Sequence, residues 1–199
     1  MSLENKEVGY TSDLLVFVVG RSGSGKDSIM RNVASALKLE DIPVHVLQRH
    51  ITRLPDKTEE SLYVSEEEFL RKKSQKEYII SWYIYDNWYG CPQKPLKKAL
   101  RRGEIVLVNA SRSILYDAKE KYPRSKIVLI DAPDKVAEAR IKIRGREDSN
   151  HLFERFTRMQ KKIDMPFPDK IIQNEGDLDL AVQELRDYLR TIYQDSKIR

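Results

Sequence analysis

Short, unbroken apolar runs recur along the chain, separated by longer stretches with helical periodicity. Leu14 to Val19 (LLVFVV) is the first such run, and its lack of alternation predicts a strand buried on both faces. Val44–Gln48, Ile105–Val108 and Ile127–Ile130 repeat the pattern, and Lys170–Gln173 adds a shorter one. Helices are predicted over Lys26–Leu39, Leu96–Arg102, Ser113–Lys121, Asp134–Ile143, Asn150–Lys162 and Leu178–Tyr193, with Gly103 as a stop for the second. Strands alternating with helices predict an α/β fold: a parallel sheet of about five strands with helices on both faces.

Two segments break the rhythm. From Ile51 to Cys91 a polar loop leads to Ser65 and Glu68 at capping-box spacing, then to YIISWYIYDNWYG, dense in aromatic and β-branched residues. That composition predicts an antiparallel excursion, a substrate-binding insertion over 51–91. Trp82, Tyr83, Tyr85 and Trp88 alternate there with Ile79, Ile80 and Ile84, which suits a subdomain core better than a base-stacking platform. The second irregular piece, RGREDSN from Arg144 to Asn150, is a charged stretch between two helices and is read as a lid over 144–150. Residues 1–12 (MSLENKEVGYTS) are polar and predict a flexible N-terminus, leaving a single domain over 13–199.

Composition narrows the chemistry. The 199 residues include one cysteine, Cys91, which excludes a disulfide scaffold and a thiolate-ligated cluster. The three histidines, His45, His50 and His151, do not fall at metal-ligand spacing. No apolar run approaches the ~20 residues that span a bilayer, and the N-terminus lacks a signal-peptide pattern, so a cytoplasmic protein without a membrane partner is expected. Lys+Arg 36 against Asp+Glu 31 leaves a net charge of +5. No basic tract or motif accompanies that surplus, so nucleic acid is not the expected partner; a small phosphorylated substrate is.

The chemistry is concentrated in Gly20-Arg-Ser-Gly-Ser-Gly25-Lys26-Asp27-Ser28, which matches GxxxxGK directly after a buried strand and before a helix. Glycines turn consecutive backbone N–H groups toward a phosphate chain, and the helix N-terminus adds its favourable dipole. Lys26 supplies a cation toward the β- and γ-phosphates. One position departs from the usual form. Asp27 follows the lysine where Ser or Thr would contact Mg²⁺, and a hydroxyl arrives one residue later at Ser28. Ser28 reaching the metal, directly or through water, and Asp27 taking over both remain open at this point. The strand Ile105–Val108 is followed by Asn109 rather than an acid, and Asp131 after the next strand serves equally as a metal partner or a helix cap.

The P-loop, ITRLP at Ile51–Pro55, WYGCP at Trp88–Pro92, IVLIDAP at Ile127–Pro133, RGRE at Arg144–Glu147 and IIQN ending at Asn174 occur in the order of guanylate-kinase-like proteins, and the chain resembles them over nearly all of its length after residue 13. Within that superfamily the GKDS ending, Arg49-His-Ile-Thr-Arg53, VNASR at Val108–Arg112 and the run from Ala132 to Glu147 resemble the ribose 1,5-bisphosphate phosphokinase family. The resemblance implies an ATP- and Mg²⁺-dependent phosphotransferase that makes 5-phosphoribosyl 1-diphosphate, in phosphonate breakdown. It implies that Gly20, Ser22, Gly23, Ser24, Gly25, Lys26, Asp27 and Ser28 hold the nucleotide. It further implies that Arg49, Arg53, Tyr63, Tyr89 and Arg112 bind the acceptor, with Arg53 also acting on the transferring group, and that Arg144 and Arg155 close over it. Arg49 and Arg53 are expected on a loop beyond the second strand. Arg140 and Arg146 also fall near the lid, Arg140 equally suiting a solvated helix face.

Departures from guanylate kinases carry weight. Where that family places carboxylates to accept from guanine, this chain has Ser81 before Trp82, and Val108-Asn109-Ala110. A buried base edge without acceptors costs on the order of 1–3 kcal/mol per group. Asp56 stands where a second phosphate-gripping arginine would fall. No general base stands out, and a phosphate acceptor, already ionised near neutral pH, needs none. A guanylate or other nucleoside monophosphate kinase and a non-catalytic phosphoprotein-binding module are the alternatives.

Overall fold

Five consecutive residues of the first strand, Leu15–Val19, are completely shielded from solvent, and the rest of the main sheet is arranged around them. The protein is described by a computed structural model over residues 12–54, 59, 61–144 and 165–198, with 143 and 144 as backbone only. The lid expected over 144–150, Arg146, Arg155 and its predicted helix, Asp56, and the side chain of Arg144 lie outside the described residues.

A short 3-10 turn (Ser12–Leu14) enters β1 (Leu15–Val19), followed by α1 (Lys26–Lys38), β2 (Val44–Val46), β3 (Arg49–Ile51) and β4 (Ser61–Tyr63). Next come α2 (Glu66–Ser74), β5 (Tyr78–Ile84), β6 (Asn87–Pro92), α3 (Gln93–Arg101) and β7 (Ile105–Asn109). A 3-10 turn at Arg112–Ile114 runs into α4 (Leu115–Lys121), and β8 (Lys126–Asp131), α5 (Asp134–Arg144), β9 (Lys170–Gln173) and α6 (Leu178–Ile198) complete the order.

The main sheet has five strands in the order β2-β7-β1-β8-β9, every pairing parallel. Its apolar runs are continuous because helices cover the sheet. On α1, Ile29, Met30, Val33 and Leu37 form a buried stripe; on α6, Ala181, Leu185, Leu189 and Ile192 do the same. The two helices pack together, with Arg190 of α6 donating to Glu40 beyond α1 from Nε and Nη2 at 2.9 Å. The helix expected from Leu96 begins at Gln93 instead, since Pro95 sits in the first turn, where its missing N–H would have no partner anyway.

Val44 to Ile51 serves two sheets. Its first half pairs with β7, and the Leu47 N–H extends that pairing by donating to the Leu107 carbonyl at 2.9 Å. By Arg49 the chain has turned into a second sheet, ordered β4-β3-β6-β5. Arg49 therefore lies on a strand, not on the expected loop: it pairs with Ser61 of β4, and the next two residues of β3 also pair with β6. The excursion is antiparallel at β3–β6 and β5–β6 and parallel at β3–β4. The Ser65 hydroxyl accepts from the Glu68 N–H at 3.2 Å and starts α2, as the capping-box spacing predicts. Aromatic rings fill the space between: Phe69 stacks on Tyr78 at 4.6 Å between centroids and on Trp88 at 5.7 Å, and Trp82 lies parallel to Tyr89 at 5.5 Å.

The β5–β6 hairpin turns through Tyr85 and Asp86, with φ of 50° and 54°. Two consecutive left-handed residues suit a tight hairpin, and Asn-Gly is the pair that adopts them with least strain. Replacing Tyr85→Asn together with Asp86→Gly is expected to raise folding stability by about 1 kcal/mol, read as a higher urea midpoint at unchanged slope.

Candidate active site

The loop from Gly20 to Gly25 leaves β1 at the carboxyl end of the sheet, where ligands bind in open parallel folds. Gly25 is the N-cap of α1 with φ of 87°, and no side chain caps the helix, so its first N–H groups face outward. At Gly23, φ 78°, an added Cβ would collide with the carbonyl oxygen of Ala137 in α5. The loop therefore rests directly on α5. The Lys26 ammonium folds back over it, donating to the carbonyls of Gly20 at 3.0 Å and Arg21 at 3.1 Å.

Side chains far along the sequence brace this loop. Asn174, buried just after β9, donates from Nδ2 to the Ser24 carbonyl at 2.8 Å. Arg140 of α5 donates to the carbonyls of Gly23 and Asn174 at 3.4 and 3.3 Å and to Asn174 Oδ1 at 3.3 Å. Its guanidinium is engaged by the loop and is not left on a solvated helix face. Arg21 donates to Asp131 at 3.1 Å and also to Asp134. Asp131 thus anchors the loop arginine, a contact not foreseen for it from sequence. Neither Asn174 nor Arg21 stood out as a site residue by type, although IIQN had been noticed as a motif.

Facing the loop is an open cleft. Lys26, Arg21 and Ser22 line one side; Arg49, Trp82 and Tyr89 line another; Asn109, Ser111 and Arg112 close the third. Arg49 is buried, its Nη2 donating to Glu59 Oε1 at 2.9 Å, while Arg53 Nη2 donates to Glu59 Oε2 at 2.6 Å. A single carboxylate thus bridges both predicted acceptor arginines, and the Ser61 hydroxyl adds a contact at 3.3 Å. The Arg53 Nε also donates to the Tyr89 hydroxyl at 3.4 Å, and both guanidiniums lie near the Tyr89 ring face, at 5.7 and 6.0 Å. Burial opposes the Arg53 charge, and Tyr89 and Glu59 more than offset it, holding the guanidinium above its ordinary value. Sequence reasoning missed Glu59. Its neighbours in PDKTEES look like a solvated loop, and an acid between two phosphate-binding arginines is not a motif in itself.

Tyr63 departs from this cluster: it is half exposed on β4, at the edge of the second sheet, and does not line the cleft. Asp27 and Asn109 meet below the loop, Asn109 Nδ2 donating to Asp27 Oδ1 at 2.6 Å. Both face a smaller cavity, shared with Arg49, Met30, Val46 and Leu47, that adjoins the main cleft through Arg49 and Asn109. Ser28, one residue further, lines neither. Among the described residues, no group of three or more His, Cys, Asp or Glu side chains is gathered to hold a metal. Among the described residues no helix is long and apolar enough to cross a membrane. Cys91 is fully buried on β6, and burial pushes its thiol up to about 12. It is placed to pack, not to react.

The guanylate kinase family model matches residues 12–192. A bifunctional ribose 1,5-bisphosphokinase-thymidine phosphorylase from Cupriavidus necator is 33% identical over 177 residues, 88% of this chain but only 29% of that protein. The chain therefore spans less than a third of that relative. A ribose 1,5-bisphosphate phosphokinase PhnN from Rhodopseudomonas palustris is 33% identical over 178 residues, covering 89% of this chain and 87% of the relative. Among solved structures, a guanylate kinase from Anaplasma phagocytophilum aligns with a TM-score of 0.60 at 21% identity over 92% of this chain and 87% of its own, a likeness of fold.

Replacing Asn174→Ala leaves the buried Ser24 carbonyl without its donor, and a loss of about 1–3 kcal/mol is expected in urea unfolding. The raised Cys91 thiol sets a pH dependence. The folded chain keeps this proton where the unfolded chain, at about 8.5, gives it up. The stability it contributes is complete below about pH 8.5 and is lost as pH rises toward the folded value. Relative to Cys91→Ala, the natural protein is expected to lose about 1–2 kcal/mol between neutral pH and about pH 10, measured by paired urea titrations.

Proposed function

The chain belongs to the guanylate kinase family, and from that membership we propose that it is an ATP-dependent phosphotransferase acting on ribose 1,5-bisphosphate, yielding 5-phosphoribosyl 1-diphosphate and ADP. The observation that carries the choice of acceptor is the lining of the cleft. Arg21, Lys26, Arg49 and Arg112 face it, and no carboxylate does among the described residues lining it. A guanine edge needs acceptors for its N–H groups. Two phosphates on a small sugar need cations, and guanidinium binds phosphate through two parallel bonds. The name of the Rhodopseudomonas palustris relative supports the same acceptor.

The N-terminal N–H groups of α1 and the loop from Gly20 to Ser28 take the nucleotide phosphates. Lys26, now folded onto the loop carbonyls, turns to the β- and γ-oxygens. Arg49, Arg53 and Arg112 orient the acceptor, and Tyr89 fixes Arg53. Tyr63 stands outside this set, on the edge strand. An oxygen of the acceptor's 1-phosphate attacks the γ-phosphorus in line, and the bond to the β-γ bridging oxygen breaks, leaving ADP. Because that phosphate is already ionised, no base is needed, and positioning with charge neutralisation carries the rate. Arg144 and Arg155 are assigned to closing over the transferring group. The donors fit Mg²⁺: Asp27 and Ser28 at the start of α1 offer oxygen, the element that ion prefers. Bound there, it would neutralise developing charge on the phosphate oxygens.

In an ADP-release assay with ribose 1,5-bisphosphate, GMP and AMP, turnover is expected with the sugar; faster turnover with GMP would sink the assignment. Lys26→Ala is expected to lower kcat by about 10²–10³-fold. Arg49→Ala is expected to raise the acceptor KM about 10–100-fold while leaving the KM for ATP nearly unchanged.

A further inference from the structure

In most P-loop proteins the residue after the lysine is a hydroxyl that binds Mg²⁺, and an acid at the end of a neighbouring strand completes the site. Here both positions are altered together. The residue after Lys26 is Asp27, and the strand position, at the end of β7, is Asn109. The two side chains meet at 2.6 Å, although 82 positions separate them in sequence. An ionised carboxylate only accepts, so Asn109 must present its amide N–H to Asp27. Among the described residues Asn109 is the only hydrogen-bond partner of the Asp27 side chain, and it engages Oδ1 alone. Oδ2 is left for another ligand.

We propose that Asp27 supplies the protein carboxylate of the Mg²⁺ site and that Asn109 orients it, the acid and its polar partner having changed places. The proposal rests on the reading of this loop as an ATP site. One protein carboxylate is retained, moved from the strand to the helix N-terminus. Two acids at 2.6 Å would repel, so an acid at 27 calls for a neutral donor at 109. Location points the same way. Asp27 and Asn109 line the cavity that adjoins the cleft through Arg49, between donor loop and acceptor arginines, while Ser28 lines neither space. Asp27 is thus a metal ligand and Asn109 a positioning residue.

The test is calorimetric binding of a non-hydrolysable ATP analogue, with Mg²⁺ and again with a chelator, so that no turnover is read. The natural protein is expected to bind the Mg²⁺ complex more tightly than the free nucleotide. Read as the ratio of Mg²⁺-bound to metal-free affinity, Asp27→Asn should lose about tenfold or more of that gain, and Asn109→Ala should lose about tenfold. Asp27→Ser should behave like Asp27→Asn, and adding Asn109→Asp to it should restore most of the gain by re-creating the usual arrangement. A full Mg²⁺-dependent gain in Asp27→Asn, or a double exchange no better than Asp27→Ser, would overturn the proposal and return the metal to Ser28. Failure of the natural protein to bind the analogue under either condition would overturn the ATP-site reading, and this inference with it.

Discussion

The exposed N-terminus of α1 is the constraint around which the rest is organised. A helix start without a side-chain cap leaves backbone donors unsatisfied, and a stable protein keeps such donors only where an anion arrives or water reaches them. Gly25 holds that end open, and the surrounding loop is short and rich in glycine. Bracing comes from outside: Asn174 on the Ser24 carbonyl, Arg140 on Gly23, and the Arg21 pairs with Asp131 and Asp134. These residues lie at the carboxyl ends of β8 and β9 or on α5, so the parallel order of the sheet is what delivers them to one place.

The acceptor side solves a different problem. Two guanidiniums in a partly buried cleft would repel each other, and Glu59 lies between them, each carboxylate oxygen taking one. Breaking such a buried arrangement by removing one partner leaves an uncompensated charge, so the three residues act as a unit. The unit keeps net positive charge, and Tyr89 holds its geometry through a hydroxyl contact and its ring face. The stacked Trp82 packs on that ring and ties the Arg49–Glu59–Arg53 unit to the aromatic core of the second sheet.

Local signals made the donor half readable. The apolar run at Leu14–Val19, the glycine spacing and the following helix lie within thirty residues of one another, and the main-sheet strands announce themselves as short apolar runs, β1 and β7 being buried at every position. The second sheet was readable as an aromatic excursion but not in its connections, because β3 and β4 are three residues each and carry little pattern. Arg49 stood out as a candidate phosphate ligand but not as a strand residue: nothing in Gln48-Arg49-His50 tells where a strand changes sheets. Glu59, Arg140 and Asn174 were hidden for one shared reason. Each acts through a partner distant in sequence or by bridging two others, and residue type alone carries no trace of a partner. Asp27 was visible as an anomaly, and only the contact with Asn109 gives the anomaly a second half.

The bond from Asn174 to Ser24 spans 150 positions of chain. A ribosome therefore emits this loop about 150 residues before its brace. Until β9 has emerged and added itself to the edge of the sheet, the nascent chain carries the glycines and Lys26 but lacks the amide that sets their shape. Chains cut short before residue 174 thus lack the amide that finishes the loop.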